Sequence, residues 1–327
     1  MQISICEVAP QGACSYYRSI GPLSKLKHIN PKIKIQVLSK VTWNSLFETD
    51  ILFLARPDSK AFVEMAEMAQ DLGIPVWIDW DDNILQIPPD NPAYKQYKSK
   101  TTVESMKKCL EIADIVTVST QYLKDSFLEY NDNVNVIENA FNNYNYKFEK
   151  VDNQFESIFW RGSATHRQDL LSVKSEMVSV ANRADTWAWV FVGGDPWYIT
   201  DYIQNKFALA EIDIVTYNKF LKDNRSAITQ VPLINSEFNK SKSNIAFIEG
   251  VYAGSVVIAS ELPEFKKPGV INYTEKEGSY QYNLEKLIKS KEFRKKNYME
   301  SFDYITENLM LSDINKKRIE IIEGILI

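Results

Sequence analysis

Three groups of residues in this chain combine side-chain types and spacings that can do chemistry. The first lies in residues 235–260, NSEFNKSKSNIAFIEGVYAGSVVIAS. Its apolar positions Ile245, Ala246, Ile248, Val251, Tyr252 and Ala253 fall mostly on one face of a helix, with Ser241 or Ser243 as N-cap and Gly254 at a left-handed C-cap. A helix start offers backbone N–H groups and a partial positive charge. A diphosphate therefore fits at Ser243 and Asn244, with Lys242 adding a full charge. Further along the same helix, Glu249 is a charged residue among apolar ones, and such a group is rarely buried without a partner. A ribose diol is one partner, since a carboxylate accepts from both hydroxyls. The alternative is a solvent-facing Glu249 paired with a lysine.

The second group is Asp79, Asp81 and Asp82, closing the apolar run IPVWI. Carboxylates this close repel, and the surroundings can raise one pKa. A catalytic or acceptor-binding carboxylate, a metal site and a turn-capping loop are the competing readings. The third group is cationic: Arg161 ends SIFWR, and His166 and Arg167 follow it. Together with Lys242 they supply the positive charge that a leaving diphosphate needs. Gly193 and Gly194 end WAWVFV and let backbone approach a base or sugar closely, and Trp197 is an aromatic near enough to stack on the base. Near the amino terminus, Gly12 precedes Tyr16, Tyr17 and Arg18 in a turn at the carboxyl end of a first strand, where open α/β sheets bind ligands. Tyrosines at a helix start are also common core residues. Between 88 and 108 the basic residues Lys95, Lys98, Lys100, Lys107 and Lys108 interleave with Tyr94 and Tyr97. Such a run can track a phosphate backbone and stack on bases, or be a solvated helix face.

The elements that must carry these groups alternate between strand and helix, which implies parallel sheets. ISICE, IKIQVLS, DILFLAR, IPVWID, DIVTVS and NVNVI read as strands of a first domain, with a helix over 61–72. A polar stretch at 142–155 reads as a linker. SIFWR, WAWVFV, IDIVTY, SAITQVPL and VVIAS read as strands of a second domain, and the charged tail from 279 reads as helical.

The 327 residues allow two ordinary domains, and 45% hydrophobic residues describe a globular protein. A net charge of −5 argues against a protein that coats nucleic acid through its global field. Three cysteines without C-x-x-C spacing indicate neither a disulfide framework nor a zinc knuckle, and a reducing cytoplasm suits them. The amino terminus begins as a strand, not as a charged leader. No apolar run approaches the ~20 residues that span a bilayer.

The phrase EGVYAGSVVIAS resembles the donor-binding signature of glycosyltransferase family four and its relatives, in which a glutamate precedes A-x-G-x-P-V-V-A-S. Phe238, Asn239, Lys242, Ser243 and Asn244 are similar to the F-N-x-x-K-S-N phrase of a subgroup common in phage and surface-polysaccharide genes. Where many members have a second glutamate eight positions before the first, this chain has Ser241.

The resemblance implies an α/β protein of GT-B architecture: two Rossmann-like domains facing each other across a cleft, with a C-terminal helix crossing back. The expected divisions are 1–150 for the acceptor domain, 151–300 for the donor domain and 301–327 for the crossing helix. The implied activity is retaining transfer of a sugar from a nucleotide-sugar donor, a UDP-sugar, to a hydroxyl acceptor. A hydroxymethylated base in phage-type DNA and a saccharide are the candidate acceptors, and a phage protein would act in the host-cell cytoplasm. A non-catalytic sugar-binding relative is the alternative. In this reading Glu249 binds ribose, while Gly12, Arg161, His166, Arg167, Gly193, Gly194, Lys242, Ser243 and Asn244 hold the rest of the donor. Asp81, Asp82, Arg161 and Lys242 are the catalytic candidates, and Tyr16, Tyr17, Arg18, Lys95 and Lys98 face the acceptor. No cofactor or metal is expected, because this architecture usually stabilises the leaving diphosphate without one.

Overall fold

The computed structural model describes residues 1–7, 9–194 and 196–325. Two six-stranded sheets, every pairing parallel, form the two halves of the molecule. The first contains β1 (Gln2–Glu7), β2 (Lys34–Leu38), β3 (Ile51–Ala55), β4 (Val76–Trp80), β5 (Ile115–Val118) and β6 (Val134–Val136), in the order β2-β1-β3-β4-β5-β6. The second contains β7 (Ser157–Arg161), β8 (Ala188–Val192), β9 (Lys206–Leu209), β10 (Ile228–Val231), β11 (Val256–Ser260) and β12 (Ile271–Tyr273), in the order β12-β11-β10-β7-β8-β9. The strands ILFLA, VWIDW and VVIAS, apolar but for Asp79 and Ser260, are buried at every position and occupy interior places, as a sheet covered by helices on both faces requires.

The tail divides at Leu309. Helix Lys291–Asn308 buries Tyr298, Phe302 and Ile305 in the core of the second half, against Phe247 and Val251. Helix Leu311–Ile325 then returns to the first half, where Ile322 packs with Ile3, Ile5, Leu23 and Ile51, and Asn315 donates to the Pro22 carbonyl at 3.0 Å. The two places where the chain crosses between halves are joined to each other. Phe141 N–H donates to Leu309 O at 2.8 Å, and Leu311 N–H donates back to Phe141 O at 2.9 Å. The expected architecture of two Rossmann-like halves with a returning C-terminal helix is thus present.

Two local expectations are corrected. IDIVTY is not a strand: Ile214–Asp223 is a helix, whose N-cap Asp213 accepts from the N–H groups of Val215 and Thr216, both at 3.0 Å. The β-branched residues Ile212, Ile214 and Val215 suggested a strand, but the Asp-x-x cap outweighs that preference. The edge strand that exists instead, β9, is exposed at every position and so lacks the alternation that announces a half-buried strand. Helix Ile245–Tyr252 is preceded by Asn244 as N-cap, without a side-chain cap bond, and not by Ser241 or Ser243. Gly254 takes the expected left-handed conformation at φ 85°.

Candidate functional site

The carboxyl ends of the strands in both sheets open onto one cleft of about 380 Å³. From the first half Gly12, Cys14, Tyr17, Asp81 and Asp82 line it; from the second, Arg161, His166, Gly193, Lys242, Ser243 and Glu249 do. The arrangement follows from topology. Loops after β1 and β4 face loops after β7, β8 and β10, because every strand of each parallel sheet ends on the same side.

Glu249 is buried in the cleft wall, only 4% exposed. Its carboxylate accepts from Tyr17 Oη at 2.7 Å, Arg161 Nε at 2.7 Å and Tyr217 Oη at 3.2 Å. Tyr17 comes from the first half, so this carboxylate also ties the halves together. Burial and then the charge of Glu249 push both phenols well above the usual tyrosine range, which keeps them protonated as donors. For Arg161, burial is the largest influence and opposes the charged form, but Glu249, Tyr217 and Tyr17 together outweigh it and the net shift is upward. A carboxylate has roughly four lone-pair directions. With three taken by protein, a ribose would complete the set with one hydroxyl or displace a tyrosine.

His166 is oriented from behind. Its Nδ1 lies 2.9 Å from Asp169 Oδ2, and Asp169 Oδ1 accepts from Ile234 N–H at 2.9 Å and Asn239 Nδ2 at 2.8 Å. Holding Nδ1 on a buried carboxylate reserves Nε2 for a ligand in the cleft. Gly193 adopts φ 102°, and a Cβ there would lie 2.5 Å from Gly162 O. Only glycine fits this floor. Gly193→Ala is expected to lower the melting temperature by several degrees and weaken nucleotide binding; an unchanged melt with unchanged affinity would show that the loop re-forms freely.

The acidic cluster separates into three ion pairs. Asp79 is bidentate to Arg18, at 2.9 and 2.7 Å, and accepts from Thr117 Oγ1 at 2.6 Å, all buried beneath the cleft. Asp81 Oδ1 lies 3.3 Å from Arg56 Nε and is buried without a hydrogen-bond partner among the described residues. Asp82 holds Lys242 Nζ across the cleft, at 3.0 and 3.1 Å. Ser241, where relatives were expected to have a sugar-facing glutamate, is fully buried; its Oγ donates to Phe238 O and accepts from Asn83 N–H at 3.2 Å.

Several expected ligand residues stand elsewhere. Arg18 is core, as its pair with Asp79 requires. Tyr16 packs edge-on against Tyr17, and Asn244 is buried with Nδ2 3.4 Å from Asn139 O; neither lines the cleft. Arg167 lies outside the cleft lining, its guanidinium 4.9 Å from the Tyr198 ring and 5.8 Å from that of Trp197. Trp197 is 58% exposed there, so it is no base-stacking wall of the cleft. Gly194 is also outside the lining. Lys98 donates to Leu85 O at 2.7 Å, Lys100 pairs with Glu104 and Lys107 covers Tyr130; neither these nor Lys95 lines the cleft. Two residues of the site were missed. Tyr217 was hidden by the strand reading of its segment. Arg56 carried a signal, since it follows the apolar run ILFLA as Arg161 ends SIFW; the structure adds that it adopts φ 51°, unusual for a residue with a side chain.

No family model and no curated protein matches this sequence. Solved structures do resemble it in fold. HepE of Anabaena, in complex with UDP and glucose, superposes with a TM-score of 0.71 at 11% identity, over 99% of this chain and 100% of its own. A glycosyltransferase from Rickettsia africae gives 0.65 at 13% identity, covering 99% and 98%. UDP-GlcNAc 2-epimerase from Neisseria meningitidis, bound to UDP-GlcNAc, gives 0.58 at 11% identity, covering 99% and 100%. The chain therefore has the GT-B fold over its full length. No helix among the described residues is long and apolar enough to cross a membrane.

Proposed function

We propose that this protein is a glycosyltransferase that binds a UDP-sugar on its second half and a hydroxyl acceptor on its first. One observation carries the reading. Arg161, His166 and Lys242 converge on the side of the cleft that also holds the start of helix Ile245–Tyr252, and carboxylates Asp81 and Asp82 face them from the other half. In transfer, the bond from the anomeric carbon to the phosphate oxygen breaks and its electron pair leaves with the nucleoside diphosphate. The acceptor oxygen bonds that carbon and gives up its proton. Negative charge grows on the phosphate while the sugar becomes oxocarbenium-like, so fixed cations and helix-end amides act on charge that develops during reaction.

Retention is the stereochemical course that suits the pairing of both acceptor-side carboxylates with cations: the departing diphosphate takes the proton, while Asp81 and Asp82 orient the acceptor. The same carboxylates favour a neutral, hydroxyl-rich acceptor, such as a saccharide. A nucleic-acid backbone would meet like charge there, and the basic run at 95–108 does not reach the cleft. No metal is assigned a part, since the cations answer the leaving group's charge.

Differential scanning with a panel of nucleotides tests the donor reading. UDP at a hundredfold over its dissociation constant should add ~2.7 kcal/mol of stability. Slow hydrolysis of a UDP-sugar, unchanged in EDTA, should accompany it, and the anomer released reports the stereochemistry. UDP binding without hydrolysis or transfer would favour the non-catalytic relative; a released 2-epimer would favour epimerisation.

A further inference from the structure

The three ion pairs at the cleft are unequal. Arg161 holds Glu249 through Nε, with the carboxylate only 4% exposed and locked by two tyrosines. Asp81, beside Arg56, is 9% exposed in its side chain. Lys242 and Asp82 differ: their side chains are 20% and 21% exposed, and they meet from opposite halves of the protein. Nζ contacts both carboxylate oxygens at nearly equal distance and sits 4.4 Å from the Phe238 ring centroid. No hydrogen bond other than that from Lys242 engages the Asp82 carboxylate among the described residues, and Lys242 lies two residues before Asn244, the N-cap of helix Ile245–Tyr252.

A lysine is suited to exchange. Its ammonium is a point charge on a flexible four-carbon stem, without the fixed fork that locks arginine onto one carboxylate. A partly exposed lysine–carboxylate pair contributes little stability, whereas a diphosphate at a helix N-terminus offers more negative charge and several acceptors. Since both partners line the same cleft, a donor entering it competes directly with Asp82 for Lys242.

We propose that Lys242 is shared in turn between Asp82 and the donor's diphosphate, so that donor binding frees Asp82 to receive the acceptor's hydroxyls. The inference rests on the nucleotide-sugar reading and adds an order to it: the acceptor site becomes complete only once the donor is in place. An empty protein keeps that carboxylate masked. The exchange also removes one tie across the cleft while Tyr17–Glu249 and Asn83–Ser241 persist, so the halves stay joined as the site is filled.

Calorimetric titration of UDP into the full chain tests this with Asp82→Asn, Lys242→Ala and the double variant. Asp82→Asn should bind UDP about 2- to 5-fold more tightly, since Lys242 no longer leaves an ion pair to reach the phosphates. Lys242→Ala should bind about 10-fold more weakly. The decisive comparison is the double variant, where removing Asp82 should bring no gain because there is no lysine to release. Unchanged affinity in Asp82→Asn overturns the exchange. So does a gain that persists without Lys242, which would be simple relief of repulsion between Asp82 and phosphate. If wild-type protein binds no UDP, the nucleotide reading itself fails, and that outcome is distinguishable from either. Thermal melts of each variant verify folding, with Asp82→Ser in reserve should Asp82→Asn not fold.

Discussion

Glu249→Ala should lose nucleotide binding and a substantial part of the fold's stability together. The carboxylate is buried and accepts from Tyr17, Tyr217 and Arg161, so truncation leaves two phenols and a guanidinium without their acceptor. Each buried phenol left without an acceptor costs about 1–3 kcal/mol, and the loss of the half-buried Arg161 pair adds to that. The sequence offered this residue a ribose or a lysine at the surface; the structure makes it a buried hub. The two roles separate in Glu249→Gln, which keeps the shape and one amide oxygen but cannot accept from three donors. Glu249→Gln should melt between wild type and Glu249→Ala and bind UDP more weakly than wild type. Chemical denaturation gives the stability change and calorimetry the affinity. Wild-type stability in Glu249→Ala would refute the hub, and wild-type affinity in both variants would remove Glu249 from the donor site.

What the sequence disclosed depended on how locally each feature is encoded. Buried parallel strands such as ILFLA and VVIAS announce themselves through unbroken apolar runs, and the left-handed turn at Gly254 needs a glycine. Residues at the carboxyl ends of strands, Asp81, Asp82 and Arg161, reach the cleft because topology sends every such end there. Partnership is different, because it joins residues far apart in sequence. Nothing near Asp79 says that Arg18 neutralises it, or that Tyr17 would cross the cleft to Glu249. The acidic cluster therefore looked like one site and proved to be three ion pairs, one structural and two facing the cleft. Tyr217 was lost for a local reason: the β-branched residues around Asp213 outweighed its capping signal in the reading of that segment. The polar run at 95–108 shows the converse. Basic and aromatic residues interleave there, yet their partners are Leu85, Glu104 and Tyr130, which no pattern of spacing foretells.

Arg161→Ala should reduce turnover about 10²-fold or more, on the scale of removing one preorganised donor to a developing anion. Glu249 takes Nε at 2.7 Å and fixes the guanidinium plane, and the side chain keeps about a third of its surface open towards the cleft. The carboxylate thus aims the cation, and under the proposed function the exposed edge would meet the phosphate whose charge grows as the sugar–phosphate bond breaks. Because that charge is greatest in the transition state, the loss should fall on kcat more than on donor affinity. Arg161→Lys should recover only part of it, since an ammonium cannot both satisfy Glu249 and present a planar fork to phosphate. Hydrolysis of a UDP-sugar without acceptor is a sufficient assay, and UDP titration supplies the affinity. Stability should fall less than in Glu249→Ala, because the two tyrosines still satisfy the carboxylate. A pure rise in KM at constant kcat would mean that Arg161 binds ground and transition states alike, and the catalytic assignment would pass to Lys242 and His166.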